Sequence, residues 1–589
     1  MNLRTLIVST VLTALSITSS SWGQFQHPSK VNIAFNKFYD YAEMTKLLHE
    51  LVDAYPELLS IESIGQSVGG REIWLVKLNN PKTGSDKEKT AMFIDGNIHG
   101  NELQSAEVVL YTIWYLTKSY GQIEKITELV DERSFYFVPM ENPDGRDYWF
   151  HQPATPHMLR GGIMPTDNDH DGEYDEDGPD DLDGDGHLTT MWIKDPLGRY
   201  ERDPEDDRFF RRVGRDKEPG GWTRLGQEGI DNDGDGMVNE DGIGGYDPNR
   251  NWPSDWQPEH VQRGAGDYPT SLPETRAVVD FLLEHPNIAG YQAYHNSGGM
   301  ILRGPSAEYL TYPSGDVRVM EALQDIGARQ LPYYDPMVSW KDLYTVHGGE
   351  DGWAYEGLGI VAFTNELWTN KKMFQDGNDP SEEEVREFRD RMQFEEVYVP
   401  LHEVEHPKYG TILVGGTKKW ASRVPPPWLL EEDLHRNFAF TMVHADEMPK
   451  VEFGAVQIRE RPNGLWELTV EVKNDKIIPT ILQIARNKKI GARDSICVNS
   501  TTGATVAASG TVNSLLPYTK MDASETPKPE CLWNDAGIGS KGSELFRFLI
   551  EGQGSVDVTY TSEKGGTINK TVTLESVEPA HPDDAKEKD

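Results

Sequence analysis

The chain has 589 residues, of which 37% are hydrophobic and 10% aromatic, and it carries a formal net charge of −40 at pH 7. This length predicts a large domain accompanied by a smaller one, and the apolar content is sufficient for packed cores. The strongly acidic balance argues against nucleic-acid binding, because there is no basic surface to displace counterions from phosphates.

The N-terminus has the pattern of a secretory signal. Arg4 supplies the positive start, residues 6–17 form the apolar stretch, and residues 21–23 offer a cleavage site with small side chains. The apolar stretch is shorter than the roughly 20 residues that a membrane span needs. We therefore expect residues 1–23 to be a signal peptide, and the mature protein to be secreted or periplasmic without a membrane span.

Strand and helix patterns alternate through the first part of the chain. Apolar strand patterns occupy residues 70–78, 90–98 and 134–140. A helical stripe with one apolar face lies between the second and third of them, and it contains Leu103, Ala106, Leu110, Ile113 and Thr117. This alternation predicts an α/β domain with a mixed, mostly parallel core sheet flanked by helices.

Residues 147–245 interrupt the alternation, since they are rich in Asp, Gly and Pro, and we interpret them as an insertion. Strand patterns resume at residues 287–296 and 358–367. From residue 450 the strands follow one another without long helices, which predicts an all-β sandwich over residues 450–577. It carries no recognisable chemistry and is expected to be a folding partner or a surface-binding module. Residues 578–589 are expected to be a disordered tail.

The chain contains two cysteines, Cys497 and Cys531, both in the region of the expected sandwich. In an oxidising compartment they could form one disulfide. Two buried free thiols are the alternative, and the sequence does not decide between them. Neither residue is close in sequence to the motifs described next.

The segment HGNE places His99 and Glu102 at the junction between an apolar strand and the helix with the apolar stripe. An imidazole and a carboxylate at such a turn can bind one zinc ion, although a Glu there is also typical of a helix N-terminus. Two further strands end at His295 and Glu366. Because ligands gather at the carboxyl ends of strands in open α/β sheets, these residues predict a metal site.

Five segments occur in the order HGNE, NPDG, NRNW, AYHN and FTNEL. In this order they resemble the signatures of the zinc metallocarboxypeptidases of the carboxypeptidase A and D superfamily. The resemblance covers roughly residues 35–440, apart from the insertion, and implies a secreted bacterial-type member with a carboxypeptidase-like catalytic domain over residues 30–447. It implies that His99, Glu102 and His295 are the zinc ligands and that a water fills the remaining position.

The resemblance also assigns the residues that handle the substrate. Asn249, Arg250 and Tyr344 would hold the terminal carboxylate, a task that suits Arg because its planar fork offers paired donors to two oxygens. Glu366 would accept a proton from the water and return it to the leaving amine. Tyr344 and Glu366 are separated by the interval that the family uses.

Two further assignments follow from the resemblance. An arginine between NPDG and NRNW should stabilise the oxyanion. Arg160 is our candidate, with Arg211 and Arg212 as competitors because the insertion blurs the alignment. Asp351, seven residues after Tyr344, stands where relatives place the floor of the side-chain pocket. An acid there predicts a preference for C-terminal Lys or Arg, which peptides of different C-terminal residues would test.

A second apparent zinc motif, H-E-x-x-H, occurs at His402, Glu403 and His406. A zinc site of that type needs both histidines one turn apart within a helix. Pro400 and Pro407 bracket the motif and cut any helix to about one turn. The surrounding residues alternate like strands, so we expect a solvated strand or loop without zinc.

The insertion contains three D-x-D-x-D-G loops, at residues 167–178, 181–189 and 231–242. Clustered oxygen donors followed by a Gly suit calcium, and a purely solvated acidic loop is the alternative. The loops lack the position-12 Glu of an EF-hand, so they resemble the shorter loops of dockerin or thrombospondin type repeats. The expected calcium ligands are Asp167, Asp169, Asp171, Asp181, Asp183, Asp185, Asp231, Asp233 and Asp235.

Together these features predict a secreted zinc-dependent metallocarboxypeptidase with structural calcium, acting on peptides or proteins that have a free C-terminus. Two alternatives remain open: a zinc amidase or peptidase acting on cell-wall peptides, and a calcium-dependent binding module with an inactive site. The residues assigned to the terminal carboxylate favour a carboxypeptidase over an amidase, and the intact ligands and base count against a binding module. The sequence does not indicate an oligomeric state.

Overall fold

The structure is a computed structural model that describes residues 28–168, 170–500 and 503–575. The expected signal peptide at 1–23, the expected tail at 578–589 and the expected calcium ligand Asp169 lie outside these residues. Within the described ranges, no helix has both the length and the apolar character needed to cross a membrane.

Side chains cap the N-termini of three of the α-helices described, those that begin at Tyr41, Pro143 and Glu382. The first begins after Asp40, whose side chain accepts a hydrogen bond from the Glu43 backbone N–H in a capping box. The helices are α1 Tyr41–Ala54, α2 Leu103–Ser119, α3 Glu124–Glu132, α4 Pro143–His151, α5 Pro273–Leu283, α6 Ser314–Gln330, α7 Glu350–Leu358, α8 Glu382–Met392, α9 Leu430–Asp446 and α10 Gln483–Lys488. The expected stripe of α2 is buried along its whole length.

The strands fall into two groups, one from the first domain with its insertion and one from the C-terminal domain. The first group is β1 Leu59–Gln66, β2 Glu72–Leu78, β3 Thr90–Gly96, β4 Arg133–Val138, β5 Thr190–Lys194, β6 Tyr200–Arg202, β7 Phe210–Arg212, β8 Trp222–Gln227, β9 Ile288–Asn296, β10 Met300–Arg303, β11 Asp335–Val338, β12 Val361–Leu367, β13 Tyr398–His406 and β14 Gly410–Thr417. The second group is β15 Val451–Arg461, β16 Leu465–Asn474, β17 Asp494–Ser500, β18 Thr505–Val512, β19 Asp522–Ala523, β20 Cys531–Asn534, β21 Gly542–Glu551, β22 Gly554–Ser562 and β23 Gly566–Leu574.

A central sheet with the order β1-β2-β4-β3-β9-β12-β10-β11 forms the core of the first domain. Its middle strands β4, β3, β9 and β12 are parallel, so their carboxyl ends meet at one edge. Met92 and Ile94 of β3 pack into the core with α2 and α9, whereas Ala91 and Phe93 pack into the core with α5. The expected mixed α/β sheet flanked by helices is confirmed, and both of its faces are buried.

A separate insertion sheet has the order β13-β14-β5-β8-β6-β7. It joins strands from the region that we interpreted as an insertion to a hairpin from residues 398–417, through the pairing of β14 with β5. The first residues of that region, 147–151, instead complete α4. The inserted strands have three to six residues, too short to show a clear period in the sequence.

The C-terminal domain is a sandwich of two antiparallel sheets, β15-β16-β21-β18-β19 and β20-β17-β22-β23, around one apolar core. The all-β character expected from the sequence is confirmed. Cys497 and Cys531 form a disulfide between β17 and β20. The sandwich is held to the central sheet by Lys564, whose Nζ donates to the Ile288 carbonyl at 2.6 Å and whose own carbonyl accepts from Thr90 Oγ1 at 2.8 Å.

Candidate metal centre

The loop that carries HGNE touches the first turn of α4, which the NPDG segment begins, at the carboxyl edge of the central sheet. A Cβ at Gly100 would lie 2.4 Å from the backbone of Gly145, so the loop needs glycine where it meets the helix. Asn142 caps α4 by accepting a hydrogen bond from the Gly145 N–H at 2.8 Å, and it donates to the Ile98 carbonyl at 3.2 Å. These contacts fix the loop that carries His99.

His99, Glu102 and His295 converge on one point, and all three are buried. Oε1 of Glu102 lies 3.0 Å from Nδ1 of His99, and Oε2 lies 3.0 Å from Nδ1 of His295. The two Nδ1 atoms are 3.1 Å apart. The expected ligand set is therefore brought together from the end of β9 and from the turn between β3 and α2.

The outward nitrogen of each histidine faces a carboxylate that sequence reasoning missed as part of the site. Nε2 of His99 lies 2.9 Å from Oδ1 of Asp247, and Nε2 of His295 lies 2.5 Å from Oε1 of Glu350. Such carboxylates fix the ring and tautomer of metal-binding histidines. The only signals in the sequence were the position of Asp247 just before NRNW and of Glu350 beside Asp351.

The donor set fits zinc. Two imidazole nitrogens and one carboxylate are the ligands of an open catalytic zinc site. Both Nδ1 atoms point at Glu102, while both Nε2 atoms are engaged elsewhere, so each ring presents a defined nitrogen to the metal position. Three further charged side chains, those of Glu366, Arg160 and Arg423, flank the cluster, and their contacts indicate which chemical step each could serve.

Glu366 lies at the end of β12, which pairs in parallel with β9 so that Glu366 is opposite His295. Its Oε2 atom is buried and has no hydrogen-bond partner among the described residues. Burial and the nearby charge of Glu102 raise the pKa of Glu366, while His295 and Arg160 act in the opposite direction. A buried carboxylate oxygen without a partner beside three metal-binding groups suits a proton acceptor.

Arg160 lies at the metal cluster, whereas the competing arginines lie on β7 in the insertion sheet. Nη1 of Arg160 is 3.0 Å from Oε1 of Glu102, and its Nε is 2.8 Å from Oδ2 of Asp247. Arg211 instead forms an ion pair with Glu201 at 2.8 Å. The structure thus brings the preferred candidate to the site.

A second guanidinium, that of Arg423, reaches the same carboxylate and was not foreseen. Its Nη2 lies 3.1 Å from Oε1 of Glu102 and 2.8 Å from the carbonyl of Asn296. Its backbone has a φ of 68°, a left-handed conformation that is costly outside glycine and that often marks functional positions. Arg423 lies beyond β14, far in sequence from every motif, and no local signal identifies it.

Two of the three residues expected to hold the terminal carboxylate, Asn249 and Arg250, lie on the side of Glu350. Asn249 Oδ1 accepts from the Glu350 N–H at 2.9 Å, and Arg250 Nη1 donates to the Asn249 carbonyl at 2.6 Å. Tyr344 is 50% exposed, and among the described residues no hydrogen bond or ion pair joins its side chain to Asn249, Arg250 or Glu350. A Cβ at Gly349 would lie 3.6 Å from both Asn249 Oδ1 and Asp351 Oδ1, so these two side chains border the same space.

Asp351 is enclosed, and its Oδ2 has no hydrogen-bond partner within the described part of the chain. Burial, together with the charge of Glu350, raises the pKa of Asp351 to about 6. An acidic oxygen without a partner in this position can accept a hydrogen bond from a cationic side chain.

The H-E-x-x-H segment is part of strand β13, as expected, and not part of a helix. Nε2 of His402 lies 3.0 Å from Oδ2 of Asp183, and His406 Nε2 lies 2.9 Å from the Gly229 carbonyl. The two histidines are therefore used separately to hold the insertion. Their geometry offers no shared metal position.

The acidic loops of the insertion bring carboxylates together in two of the expected places. Asp231, Asp233 and Asp235 converge as expected. Asp181 and Asp183 converge with Glu228, which directly follows β8, and not with Asp185. Asp185 instead accepts a hydrogen bond from the His187 N–H at 2.8 Å.

The first loop, with Asp167 and Asp171, is folded around backbone N–H groups. Asp167 accepts from the N–H groups of His170 and Gly172, and Asp171 accepts from that of Glu173. Gly172 has a φ of 104°, which permits the bend that the D-x-D-x-D-G pattern predicted. The loop geometry agrees with the pattern.

The chain is similar to known proteins in both of its domains. A family model described as zinc carboxypeptidase matches residues 44–390, and a model described as a domain of unknown function matches residues 450–573. Mouse carboxypeptidase D is 31% identical over 123 residues, which are 21% of this chain and 9% of that protein. Carboxypeptidase B of Astacus astacus is 26% identical over 353 residues, which are 56% of this chain and 87% of that protein.

Among solved structures, thrombin activatable fibrinolysis inhibitor has 18% sequence identity and a TM-score of 0.41, and the match covers 70% of this chain and 74% of that one. The chain spans about a tenth of the length of the carboxypeptidase D relatives it matches. The family model, however, covers more than half of the chain. The chain therefore belongs to the zinc carboxypeptidase family, as the order of its five motifs predicted.

Proposed function

We propose that the protein is a zinc-dependent metallocarboxypeptidase that removes the C-terminal residue of peptides or proteins. The observation that carries this proposal is the convergence of His99, Glu102 and His295 beside Glu366, whose buried Oε2 has no partner. Zinc bound by the three residues would act as a Lewis acid and lower the pKa of a water. Proton transfer and stabilisation of the developing charge would be carried out by side chains of the protein itself.

Glu366 is the proposed proton carrier. It would accept a proton from the attacking water and deliver it to the nitrogen of the leaving amine. Arg160 has its guanidinium 3.0 Å from Glu102 Oε1 and lies where donors can stabilise charge that develops on the carbonyl oxygen. Asp247 holds both Arg160 and His99, so one carboxylate positions two parts of the site.

The proposed holder of the terminal carboxylate is formed by Asn249, Arg250 and Tyr344. Arg250 is 8% exposed, so its guanidinium is directed by the protein and does not move freely in solvent. A directed guanidinium fork can pair with both oxygens of a carboxylate. Tyr344, whose side chain is 50% exposed, would contact the substrate from the solvent side.

Asp351 supports a preference for a C-terminal Lys or Arg. Its Oδ2 has no hydrogen-bond partner among the described residues, and its Oδ1 borders the same space as Asn249, next to the proposed carboxylate holder. A cationic side chain placed there would supply the missing hydrogen bond and charge. An apolar side chain would leave a buried carboxylate unpaired, which costs about 1–3 kcal/mol or more.

The test is hydrolysis of peptides that differ only in a C-terminal Lys, Arg, Phe or Leu, read by mass with the zinc-loaded protein. We expect loss of a single C-terminal residue, fastest for Lys and Arg. Amidating the C-terminus should abolish cleavage, because the carboxylate holder has nothing to bind. Cleavage of amidated peptides, or release of cell-wall peptides in place of these substrates, would favour an amidase.

Glu366→Gln separates catalysis from metal binding. The substitution keeps the shape of the side chain and removes the proton acceptor, so we expect activity to fall by at least about a hundredfold. Zinc content should stay at one ion per chain, since Glu366 is not a ligand in this proposal. Full activity of the variant would contradict the role of Glu366. A wild-type protein that binds zinc without cleaving any peptide would favour a binding module.

We also propose that the acidic loops of the insertion bind calcium. Asp231, Asp233 and Asp235 converge with one cationic neighbour, Lys408, whose Nζ lies 3.6 Å from Oδ2 of Asp231, and Asp181 and Asp183 converge with Glu228. Packed carboxylates repel one another unless a cation neutralises them. Affinities of extracellular sites of this kind are on the order of 10⁻⁴–10⁻³ M.

Limited proteolysis tests the calcium proposal. Calcium should protect residues 150–245 from cleavage at concentrations near 1 mM, and removing it under conditions that keep zinc should restore cleavage. Asp231→Asn should weaken this protection, whereas Asp86→Asn, in a loop before β3, should leave it unchanged. If calcium protects the Asp231→Asn protein as well as the wild type, the loop is not a calcium site.

We also propose that the protein is exported to an oxidising compartment. It is supported by the pattern of residues 1–23 and by the disulfide between Cys497 and Cys531, a bond that persists mainly outside the reducing cytosol. Fractionation of the native host, with the mature N-terminus read by mass, would test it. A mature protein that retains residues 1–23 in the cytosol would refute it.

A further inference from the structure

A second group of acidic side chains lies directly beneath the metal centre. Asp95 is at the end of β3, Glu141 follows β4, and Glu350 begins α7. Each offers a carboxylate oxygen, and these oxygens all lie within 4.8 Å of one another. Exposure is 2% for Asp95 and zero for both glutamates, so no solvent reaches the group.

No cationic side chain neutralises this buried group. In the described ranges, neither a lysine nor an arginine forms an ion pair with any of the three carboxylates, and the charged partner found is His295, through Glu350. Tyr291 donates its hydroxyl to Asp95, and the same oxygen lies 3.3 Å from Oε2 of Glu350. These contacts engage one oxygen of Asp95 and both oxygens of Glu350, and they leave both oxygens of Glu141 without a partner among the described residues.

Glu141 provides the strongest evidence that this group binds a ligand. Both of its carboxylate oxygens are buried, and neither has a hydrogen-bond partner in the part of the chain that the structure describes. Leaving a buried carboxylate unpaired is costly, and native proteins avoid it by pairing the charge or coordinating a metal. The oxygens face Asp95 and Glu350, so a ligand that satisfies Glu141 would contact all three residues.

We propose that Asp95, Glu141 and Glu350 form a buried calcium site next to the zinc centre. All three donors are hard oxygens, which favour calcium or magnesium over zinc. Oxygens on opposite sides of one calcium ion lie up to about 5 Å apart, and this cluster is within that limit. Magnesium usually keeps several waters, whereas this group excludes solvent. Carboxylates can bind through both oxygens, so three of them meet the high coordination number of calcium.

The site would act on the zinc centre through Glu350. This carboxylate accepts a hydrogen bond from His295 at 2.5 Å and also contacts Asn249 at 3.2 Å. A cation that fixes Glu350 therefore fixes the ring of a zinc ligand and the side chain of a proposed substrate-binding residue. This inference does not depend on the proposed peptidase activity, because it concerns metal content.

The test uses the difference in burial between this site and the exposed loops. Full-length protein is equilibrated with calcium, passed through a desalting column without calcium, and analysed for metals by mass spectrometry. Loop sites of about millimolar affinity lose calcium on the column, so the wild type should retain about one calcium per chain. Glu141→Gln should retain none. Asp231→Asn, in an exposed loop, should retain as much as the wild type.

Retention of the same calcium content by Glu141→Gln and the wild type would overturn the assignment, as would a wild type that retains magnesium in place of calcium or retains no calcium. If Glu141→Gln fails to fold, a crystal structure of the wild type decides. An anomalous calcium peak within about 2.3–2.6 Å of the three carboxylates supports the site. Direct carboxyl–carboxyl hydrogen bonds of about 2.5–2.7 Å without a peak refute it.

Discussion

Asp247→Asn tests whether the second layer of the metal centre controls zinc affinity. The carboxylate lies 2.9 Å from Nε2 of His99 and 2.8 Å from Nε of Arg160. Asn keeps the shape and an acceptor oxygen but removes the charge. Hydrogen bonds to charged groups contribute about 1.5–3 kcal/mol and neutral ones about 1 kcal/mol. Losing the charge at His99 should therefore cost about 1–2 kcal/mol, or about five- to thirtyfold in zinc affinity.

The assay is competition for zinc between the protein and a chelator of known affinity at fixed pH. Asp255→Asn is the matched control, because Asp255 holds His347 at 2.8 Å in the same way and His347 is not a proposed ligand. Zinc affinity of the control should equal that of the wild type. If Asp247→Asn binds zinc within twofold of the wild type, Asp247 does not position His99 and the reasoning from its contact is wrong.

Arg423→Gln should lower kcat/KM by about tenfold to a hundredfold with unchanged zinc content, because the guanidinium of Arg423 faces the metal cluster. Steady-state kinetics and metal analysis check this prediction, and unchanged kinetics would contradict it. Burial raises the pKa of Glu274 to about 7, so the folded protein keeps a proton that the unfolded chain releases above about pH 4.5, and stability falls as the pH rises to 7. Glu274→Gln removes this loss of stability, which is about 3 kcal/mol. The melting temperature of the variant should exceed that of the wild type at pH 8 and equal it at pH 4.5. An equal gain in melting temperature at both pH values would show that the titration of Glu274 is not the cause. His402→Ala should keep full zinc content and activity, and loss of stoichiometric zinc would restore the H-E-x-x-H hypothesis.

The convergence of His99, Glu102 and His295 could be predicted because both histidines lie at or just beyond the ends of strands with strong apolar patterns. His295 and Glu366 end strands that are buried on both faces, and His99 follows another such strand by a short loop. Parallel neighbours in one sheet place such positions at one edge regardless of the loops between them. The order of the motifs then supplied the roles that geometry alone could not assign.

The second layer of the site could not be predicted in the same way. The contact between Arg423 and Glu102 joins residues 321 positions apart, and the segment around Arg423 has neither helical nor strand periodicity. Glu228 joins an acidic loop only because β8 pairs with β5 in the insertion sheet. Such contacts depend on how short, weakly patterned strands pair, which single-sequence reasoning does not resolve.

The pairing of β14 with β5 means that the inserted strands are completed by residues that the ribosome makes much later. Until residues 410–417 emerge, β5 lacks one of its two neighbours and leaves an edge open to other chains. A version of the protein cut before residue 398 should therefore form aggregates, even though it would retain every proposed zinc ligand. Transplanting residues 147–245 alone into a relative would carry the same defect, so a functional transfer must include the hairpin at 398–417.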